Sequence, residues 1–113
     1  MTDCLFCRIV AGEIPADVVL RTDEVVAFRD ISPQAPVHVL VIPTEHHENI
    51  GALAGSAPGL TATVLATAAQ VAQQEGLGDQ FRLVFNTGTE AGQSVFHVHG
   101  HVLGGRDFTW PPG

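Results

Sequence analysis

Apolar residues in the first half of the chain come in short runs separated by polar or turn-forming residues, a pattern typical of β-strands. Two of these runs flank Thr22 and Asp23, which favours a hairpin with its turn at that pair. The next run is apolar on both faces except for His38, which predicts a central strand. The predicted strands of this half cover Asp17–Thr22, Glu24–Asp30 and Val37–Ile42.

One long helix is predicted in the second half of the chain. Its apolar positions recur at the spacing of a single helix face, and the stripe consists of Leu60, Val64, Leu65, Ala68 and Val71. The helix is predicted over Leu60–Gln74, because Ala57-Pro58-Gly59 leads into it and Gly76 and Gly78 end it. A short helical turn is predicted over Cys4–Val10, and Asn49–Ser56 is predicted to be a partly helical connector.

Two further strands are predicted near the end of the chain, at Gln80–Asn86 and Ser94–Leu103, with a glycine-containing turn at Thr87–Gln93 between them. A run of strands around one long helix predicts the α+β class with an antiparallel five-stranded sheet. The length of 113 residues and the 45% hydrophobic content indicate a single domain over residues 1–113 with one core.

The charge of the chain and the length of its apolar runs exclude a nucleic-acid binder and a membrane-spanning protein. The net charge is −7, with five arginines and no lysine, so the basic stripe of a nucleic-acid binder is missing. No apolar run approaches the roughly 20 residues of a membrane span. The first residues, Met1–Cys4, lack the basic and apolar regions of a signal peptide, so a soluble, cytoplasmic protein is predicted.

Three histidines at alternate positions, His97, His99 and His101, carry the strongest chemical signal. In a strand their imidazoles point to one face, with Cα atoms roughly 6.6 Å apart. Imidazole serves as nucleophile, proton carrier or metal ligand near neutral pH. A purely structural role and a metal site made of these three alone stay open, although three ligands on one strand close poorly around a tetrahedral ion. The residues predicted to point to the opposite, buried face are Phe96, Val98 and Val102.

The segment Ser94–Leu103 resembles the signature of the histidine triad (HIT) proteins, His-x-His-x-His followed by apolar positions. Several separate segments match in the same order and resemble the Hint branch, the histidine triad nucleotide-binding proteins. The resemblance implies a HIT-like fold, an antiparallel sheet packed with helices, in a two-fold homodimer. The matching segments are Asp30–Pro36 before His38, Val41–Pro43, Asn86, Gly92–Ser94, Gly104–Arg106 and Trp110–Gly113.

The resemblance also implies an activity. It implies a hydrolase that cleaves the P–N bond of purine nucleoside phosphoramidates, with aminoacyl-adenylates as a further substrate class, and that needs neither magnesium nor a redox cofactor. His99 is implied as the nucleophile that becomes nucleotidyl-histidine. His101 and His38 are implied in proton transfer and phosphate contact, and Ser94 in a polar contact to the phosphate or the departing group. A buried structural histidine stays the alternative for His38.

The remaining substrate contacts come from the same resemblance. Asp30 is implied to accept the ribose hydroxyls, and Asn86, Gly92 and Gln93 are implied to contact the phosphate. Trp110, in the tail over residues 104–113, is implied to reach the partner of the dimer, and a C-terminal anchor packed on its own subunit stays the alternative. By spacing alone, the residues implied to surround the purine are ordinary core residues, and they are Phe6, Ile9, Phe28, Ile31 and Leu40.

Cys4 and Cys7 form a Cys-x-x-Cys pair, which in a cytosolic chain indicates metal or redox chemistry rather than a structural disulfide. Tetrahedral zinc needs two further ligands. Some family members complete such a site at the positions of His46 and His97, so the resemblance implies a structural zinc held by these four residues. Two reduced, buried cysteines are the alternative.

One departure from the family pattern concerns Gly100, which stands where a larger apolar residue is usual. A glycine in a strand loses packing, so looser packing behind His99 is expected. Two other functions also stay open: a non-catalytic nucleotide-binding or scaffold protein, and a dinucleoside polyphosphate hydrolase. A nucleotidyltransferase of the galactose-phosphate type fits less well, because such enzymes replace the last triad histidine with glutamine and His101 is intact.

Overall fold

A five-stranded antiparallel sheet forms the centre of the molecule. In the computed structural model, which describes residues 3–113, the strands lie in the order β1-β2-β3-β5-β4 and each neighbouring pair is antiparallel. The predicted α+β class and the number of strands are therefore confirmed. The strands are β1 (Val18–Arg21), β2 (Val25–Arg29), β3 (Val37–Pro43), β4 (Arg82–Val84) and β5 (Gly100–Gly104).

Three helices accompany the sheet: α1 (Leu5–Val10), α2 (Ile50–Ser56) and α3 (Pro58–Gln74). The connector before the long helix is a complete helix, because the Asn49 side chain caps it by accepting a hydrogen bond from the Ala52 backbone N–H at 2.9 Å. The long helix begins two residues earlier than predicted, with Pro58 at its first position, where a missing N–H costs nothing.

The predicted apolar stripe of α3 is correct at four positions and wrong at Leu65, with Leu60 partly buried against the core. Val64, Ala68 and Val71 are fully buried, whereas Leu65 is 45% exposed because it lies one residue, or about 100° of helix rotation, beyond Val64. Thr67 takes a place on the buried face and satisfies its hydroxyl by donating to the Thr63 carbonyl at 2.7 Å.

Both faces of the central strands are buried, which explains why β2 and β3 are apolar without alternation. On one face, Val25, Ala27, Val39 and Val41 pack with α3 in the larger apolar cluster. On the other face, α1 covers the sheet with two side chains. That second cluster consists of Phe6, Ile9, Val26, Phe28, Leu40 and Ile42.

The fifth strand is shorter than predicted: it begins at Gly100, and residues 94–99 before it have no strand structure. Pairing between β3 and β5 runs from Val37 opposite Gly104 to Val41 opposite Gly100. Two residues further along β3 lies Pro43, which has no backbone N–H to donate, so the ladder stops. The Val98 N–H instead donates to the His47 carbonyl at 2.8 Å.

The face opposite the histidines is buried as predicted at Val98 and Val102, but the prediction is wrong for Phe96, which is 44% exposed. Phe96 precedes the strand, so the alternation of a β-strand does not determine its direction.

The predictions about a signal peptide and a membrane span concern the start of the chain and its helices. Met1 and Thr2, on which the prediction about a signal peptide partly depends, lie outside the described residues. Within residues 3–113, no helix combines the length and the hydrophobicity needed to cross a membrane.

The space beside Gly100 is filled, contrary to the expected loss of packing behind His99. A Cβ at this position would lie 2.8 Å from Cζ of Phe85 and 3.2 Å from Cδ1 of Leu83. Gly100→Leu is therefore expected to lower the free energy of unfolding by about 1–3 kcal/mol through overpacking.

A double-mutant cycle in urea tests this pairing. Gly100→Leu combined with Phe85→Ala is expected to cost less than the sum of the two single changes, because the leucine then fills the space that the phenylalanine leaves. Purely additive costs would show that Phe85 does not occupy the place of the missing side chain.

Candidate functional site

A cavity of about 260 Å³ lies between α1, the central strands and the segment before β5, and we refer to it as the triad cavity. His99 and His101 line it, together with Ser94 and Asp30. All five residues that were implied to surround the purine also line it, namely Phe6, Ile9, Phe28, Ile31 and Leu40. The fold thus brings the polar and apolar halves of the predicted site together, with Ile31 at the mouth because it is 98% exposed.

His99 is held in one defined tautomer. Its Nδ1 lies 2.8 Å from the carbonyl oxygen of His97, and because a carbonyl only accepts, Nδ1 carries the proton and Nε2 the lone pair. The ring is buried and packs edge-on with Phe6, at 5.1 Å between ring centroids. Burial lowers the pKa of His99, although its bond to the His97 carbonyl and the charge of Asp30 oppose the shift. The ring is therefore neutral at pH 7, as a nucleophile requires.

His38 and His101 form a hydrogen-bonded pair beside His99. The Gln34 backbone N–H donates to Nδ1 of His38 at 3.0 Å, so the proton of His38 is on Nε2 and is donated to Nδ1 of His101 at 2.9 Å. This leaves Nε2–H of His101 buried and without a partner among residues 3–113. A buried donor without a partner is costly, so this atom is prepared to donate to a bound oxygen or nitrogen.

Burial sets the protonation of this pair. It lowers the pKa of His101 to about 4, and the neighbouring rings of His99 and His38 lower it further, while the Asp30 carboxylate opposes the shift. Burial also lowers the pKa of His38, again opposed by Asp30, whose Oδ2 lies 3.5 Å from Nε2 of His38. Both rings are consequently neutral at pH 7.

Three residues implied to contact the phosphate lie outside the triad cavity. Asn86 lines a second cavity, of about 270 Å³, which shares His101 with the first and also contains His38. Gly92 lies next to Asn86 and has a φ of 98°, a conformation that favours glycine.

The Gln93 side chain is buried and ties its loop together. It accepts from the Gly88 N–H at 2.9 Å and donates to the carbonyls of Glu48 and Val95 at 2.8 and 3.1 Å. Any contact of Gln93 with a phosphate would therefore use its backbone.

The C-terminal tail is anchored on its own chain before it reaches Trp110. Arg82 donates to the Thr109 carbonyl at 3.2 Å, and the Phe108 ring lies under the guanidinium groups of Arg82 and Arg106 at 4.9 and 4.2 Å. Trp110 itself is 82% exposed and lines neither cavity. Its reach towards a partner chain stays a prediction.

Cys4, Cys7, His46 and His97 come together as one set of donor atoms, all within 4.8 Å of one another. Nδ1 of His97 lies 3.4 Å from Sγ of Cys4, 3.5 Å from Sγ of Cys7 and 3.2 Å from Nδ1 of His46. A tetrahedral zinc ion with ordinary bond lengths separates its ligand atoms by about 3.3–3.8 Å. The spacing therefore fits zinc.

The protonation of His97 also fits a metal. Its Nε2 lies 2.9 Å from the Pro43 carbonyl and must donate to it, which leaves the lone pair on Nδ1 facing the two sulfurs. Burial lowers the pKa of His97 to about 4, so the ring is neutral. We refer to Cys4, Cys7, His46 and His97 as the Cys/His set. Because His97 belongs to it, the three triad histidines do not form a metal site by themselves.

Several functional groups of this site carry no sequence signal. The backbone N–H of Gln34 and the backbone carbonyls of Pro43 and His97 determine the three tautomers. Every residue offers such groups, so only the fold shows which of them are used.

The comparisons with known proteins agree with this geometry. The HIT domain family matches residues 11–108. A HIT family hydrolase from Legionella pneumophila has 50% identity and a TM-score of 0.94, with 98% of this chain and 100% of that chain covered. An uncharacterized HIT-like protein of Synechocystis is 50% identical over 98% of this chain and 97% of its own length. A "14 kDa zinc-binding protein" of Brassica juncea is 45% identical over 98% of this chain and 100% of its own length. This chain therefore belongs to the HIT domain family.

Proposed function

We propose that this protein is a hydrolase of purine nucleoside phosphoramidates and a member of the Hint branch of its family. The observation that carries the proposal is the state of His99, a neutral, buried imidazole whose Nδ1–H is held by the His97 carbonyl. Its Nε2 lone pair belongs to a ring that lines a cavity with both a carboxylate and an apolar wall. The hydrolase named among the similar structures supports the same class of reaction.

The reaction proceeds in two displacements. The Nε2 lone pair of His99 attacks the α-phosphorus, so an N–P bond to the ring forms while the P–N bond to the amine breaks. The amine takes up one proton as it leaves. Water then attacks the nucleotidyl-histidine, the N–P bond to His99 breaks, a proton is released and the nucleoside monophosphate departs.

His101 assists through its Nε2–H, a buried side-chain donor without a partner among residues 3–113. Its Nε2–H donates to a phosphoryl oxygen or to the leaving group and stabilises the charge that develops there. His38 fixes the tautomer of His101 and, through it, the direction of that donor. Ser94 lies in the same cavity and adds a hydroxyl contact.

The cavity suits a purine nucleoside. Asp30 uses Oδ1 to accept from the Ser32 N–H at 2.8 Å and retains Oδ2 for the ribose hydroxyls. The apolar wall around Phe28 and Leu40 takes the base, and because it offers shape rather than hydrogen bonds, adenine and guanine are both accepted. Asn86 approaches the phosphate from the second cavity, with Gly92 beside it. The net charge of −7 disfavours nucleic acid.

The Cys/His set is proposed to hold a structural zinc ion, which on binding would fix four side chains and take no part in the chemistry. The donor spacing supports this, as does the printed name of the Brassica relative. A two-fold homodimer in the cytoplasm is proposed as well. The exposed Trp110 and the tail over residues 104–113 are the parts of the chain that would reach the partner.

Phosphorus NMR of two substrates tests the proposal. Adenosine 5′-phosphoramidate is expected to be converted to AMP without added magnesium or redox cofactor, faster than a dinucleoside tetraphosphate. Faster cleavage of the dinucleoside substrate would assign the protein to the polyphosphate hydrolases. Binding of AMP without turnover of either substrate would make it a non-catalytic nucleotide-binding protein.

A further inference from the structure

His97 belongs to two arrangements at once. Its side chain contributes Nδ1 to the Cys/His set, while its backbone carbonyl accepts the Nδ1–H of His99 at 2.8 Å. The two are rigidly related, because Nε2 of the same ring is bonded to the Pro43 carbonyl at the end of β3. A shift of the His97 backbone therefore moves both the ring in the Cys/His set and the carbonyl that fixes the tautomer of His99.

A second connection runs through α1. Cys4 caps this helix by accepting from the Cys7 N–H at 3.3 Å, so both thiols lie at its N-terminal end. Phe6, between them in sequence, packs edge-on against His99 at 5.1 Å and against His97 at 6.1 Å between ring centroids. Phe6 and Ile9 also form part of the wall of the triad cavity.

The helix depends on tertiary contacts, because at six residues it is too short to be stable alone. The buried side chains of Phe6 and Ile9 and the partly buried Val10 dock it onto the sheet, and Arg21 donates to the Val10 carbonyl at 3.3 Å. The Cys/His set adds further contacts: the thiol of Cys7 lies 3.4 Å from Nδ1 of His46, and both thiols contact Nδ1 of His97.

We propose that the metal held by the Cys/His set positions the catalytic machinery: it fixes the His97 carbonyl that orients His99, and it fixes α1 as a wall of the nucleotide cavity. Cys4, Cys7, His46 and His97 are then positioning residues for the reaction. The inference rests on the proposed function for its kinetic consequence, but its structural consequences do not require turnover.

The test compares three forms of the full chain: the zinc-loaded protein, the same protein after chelation and removal of the chelator, and Cys4→Ser. The first readout is metal content, expected to be about one zinc ion per chain in the first form and none in the others. Zinc added back to the chelated protein is expected to restore every property measured below, whereas Cys4→Ser is not expected to respond.

The second readout is the His99 imidazole in nitrogen-15 NMR. A hydrogen-bonded Nδ1–H is expected in the zinc-loaded form, and a mixture of the two tautomers in the metal-free forms. The third readout is AMP binding by calorimetry, expected to weaken about tenfold without metal. The single-turnover rate with adenosine 5′-phosphoramidate is expected to fall about 100-fold, since a small misplacement of a reacting group has that effect.

Val71→Ala serves as the matched control, because Val71 is buried in the cluster on the other face of the sheet. It is expected to lower the melting temperature while keeping the zinc, the Nδ1–H signal and the AMP affinity.

Three results would overturn the proposal. One is a protein that holds no zinc, and another is a metal-free form that keeps the tautomer and the AMP affinity. The third is a Val71→Ala variant that loses both, which would show general destabilisation instead. If no form hydrolyses the phosphoramidate, the proposed function fails, while the tautomer and AMP binding still decide the positioning role.

Discussion

His99→Ala is expected to reduce turnover of adenosine 5′-phosphoramidate by about 10⁴–10⁶-fold, the range seen when members of a covalent catalytic triad are removed. Neither of the other triad histidines can take over the attack. His101 points its only lone pair, on Nδ1, at the N–H of His38, and His97 shares its lone pair with the Cys/His set. Loss of the His99 ring therefore leaves the cavity without an imidazole nucleophile.

AMP binding is expected to survive this substitution within a few-fold, because Asp30 and the apolar wall around Phe28 and Leu40 are untouched. Calorimetry with AMP is the matched measurement, and phosphorus NMR follows the turnover. Quenching of the wild-type reaction with alkaline denaturant, in which an N–P bond to imidazole persists, followed by mass spectrometry, is expected to detect one nucleotidyl group on the chain and none on the variant. Normal turnover by His99→Ala would show that the nucleophile lies elsewhere.

The sequence predicted the participants of the site better than it predicted their conformation. Period-two spacing of His97, His99 and His101 led to the expectation of one strand with a common face, yet only His101 lies within β5. The strand begins late, at Gly100, because Pro43 cannot donate to the ladder. That residue was visible in the sequence, but its position opposite the histidines depends on the register between two strands that are far apart in the chain.

This shortened strand has a functional consequence. Because His97 lies in an irregular segment, its ring turns towards Cys4 and Cys7 while its carbonyl turns towards His99. In a regular antiparallel ladder that carbonyl would be used by the neighbouring strand or by solvent. The wrong prediction of a long strand and the missed partner of His99 thus have the same cause.

The burial of apolar residues was predicted well in strands that are buried on both faces. It was predicted badly for a residue at the edge of the apolar stripe of a helix. Val39 and Val41 belong to a strand buried on both faces, so any register would bury them. Leu65 lies beside the buried face of α3 and is exposed, although its hydrophobicity equals that of its neighbours. The spacing of apolar residues identifies the buried face of a helix, but it does not decide whether a residue at the edge of that face is buried or exposed.

Acidification from pH 7 to pH 4 is expected to remove about 3 kcal/mol of stability through His101 alone. Burial lowers the folded-state pKa of His101 to about 4 from the ordinary value of 6.5. Between these values the unfolded chain binds more protons than the folded one, so the free energy of unfolding falls as the pH falls and levels off below about pH 4. The magnitude follows from about 1.4 kcal/mol for each unit of pKa difference.

The comparison of wild type with His101→Gln in urea, at several pH values, isolates this contribution. Every other ionisable group is present in both proteins, so contributions that do not depend on His101 cancel in the difference between the two free energies of unfolding. That difference is expected to shift by about 3 kcal/mol in favour of the variant between pH 7 and pH 4. The pKa of His38, which burial lowers, acts in the same direction in both proteins. A difference that stays constant over this range would mean that His101 is as easily protonated in the folded protein as in the unfolded chain, and that its unpartnered Nε2–H is not the buried donor on which the proposed mechanism depends.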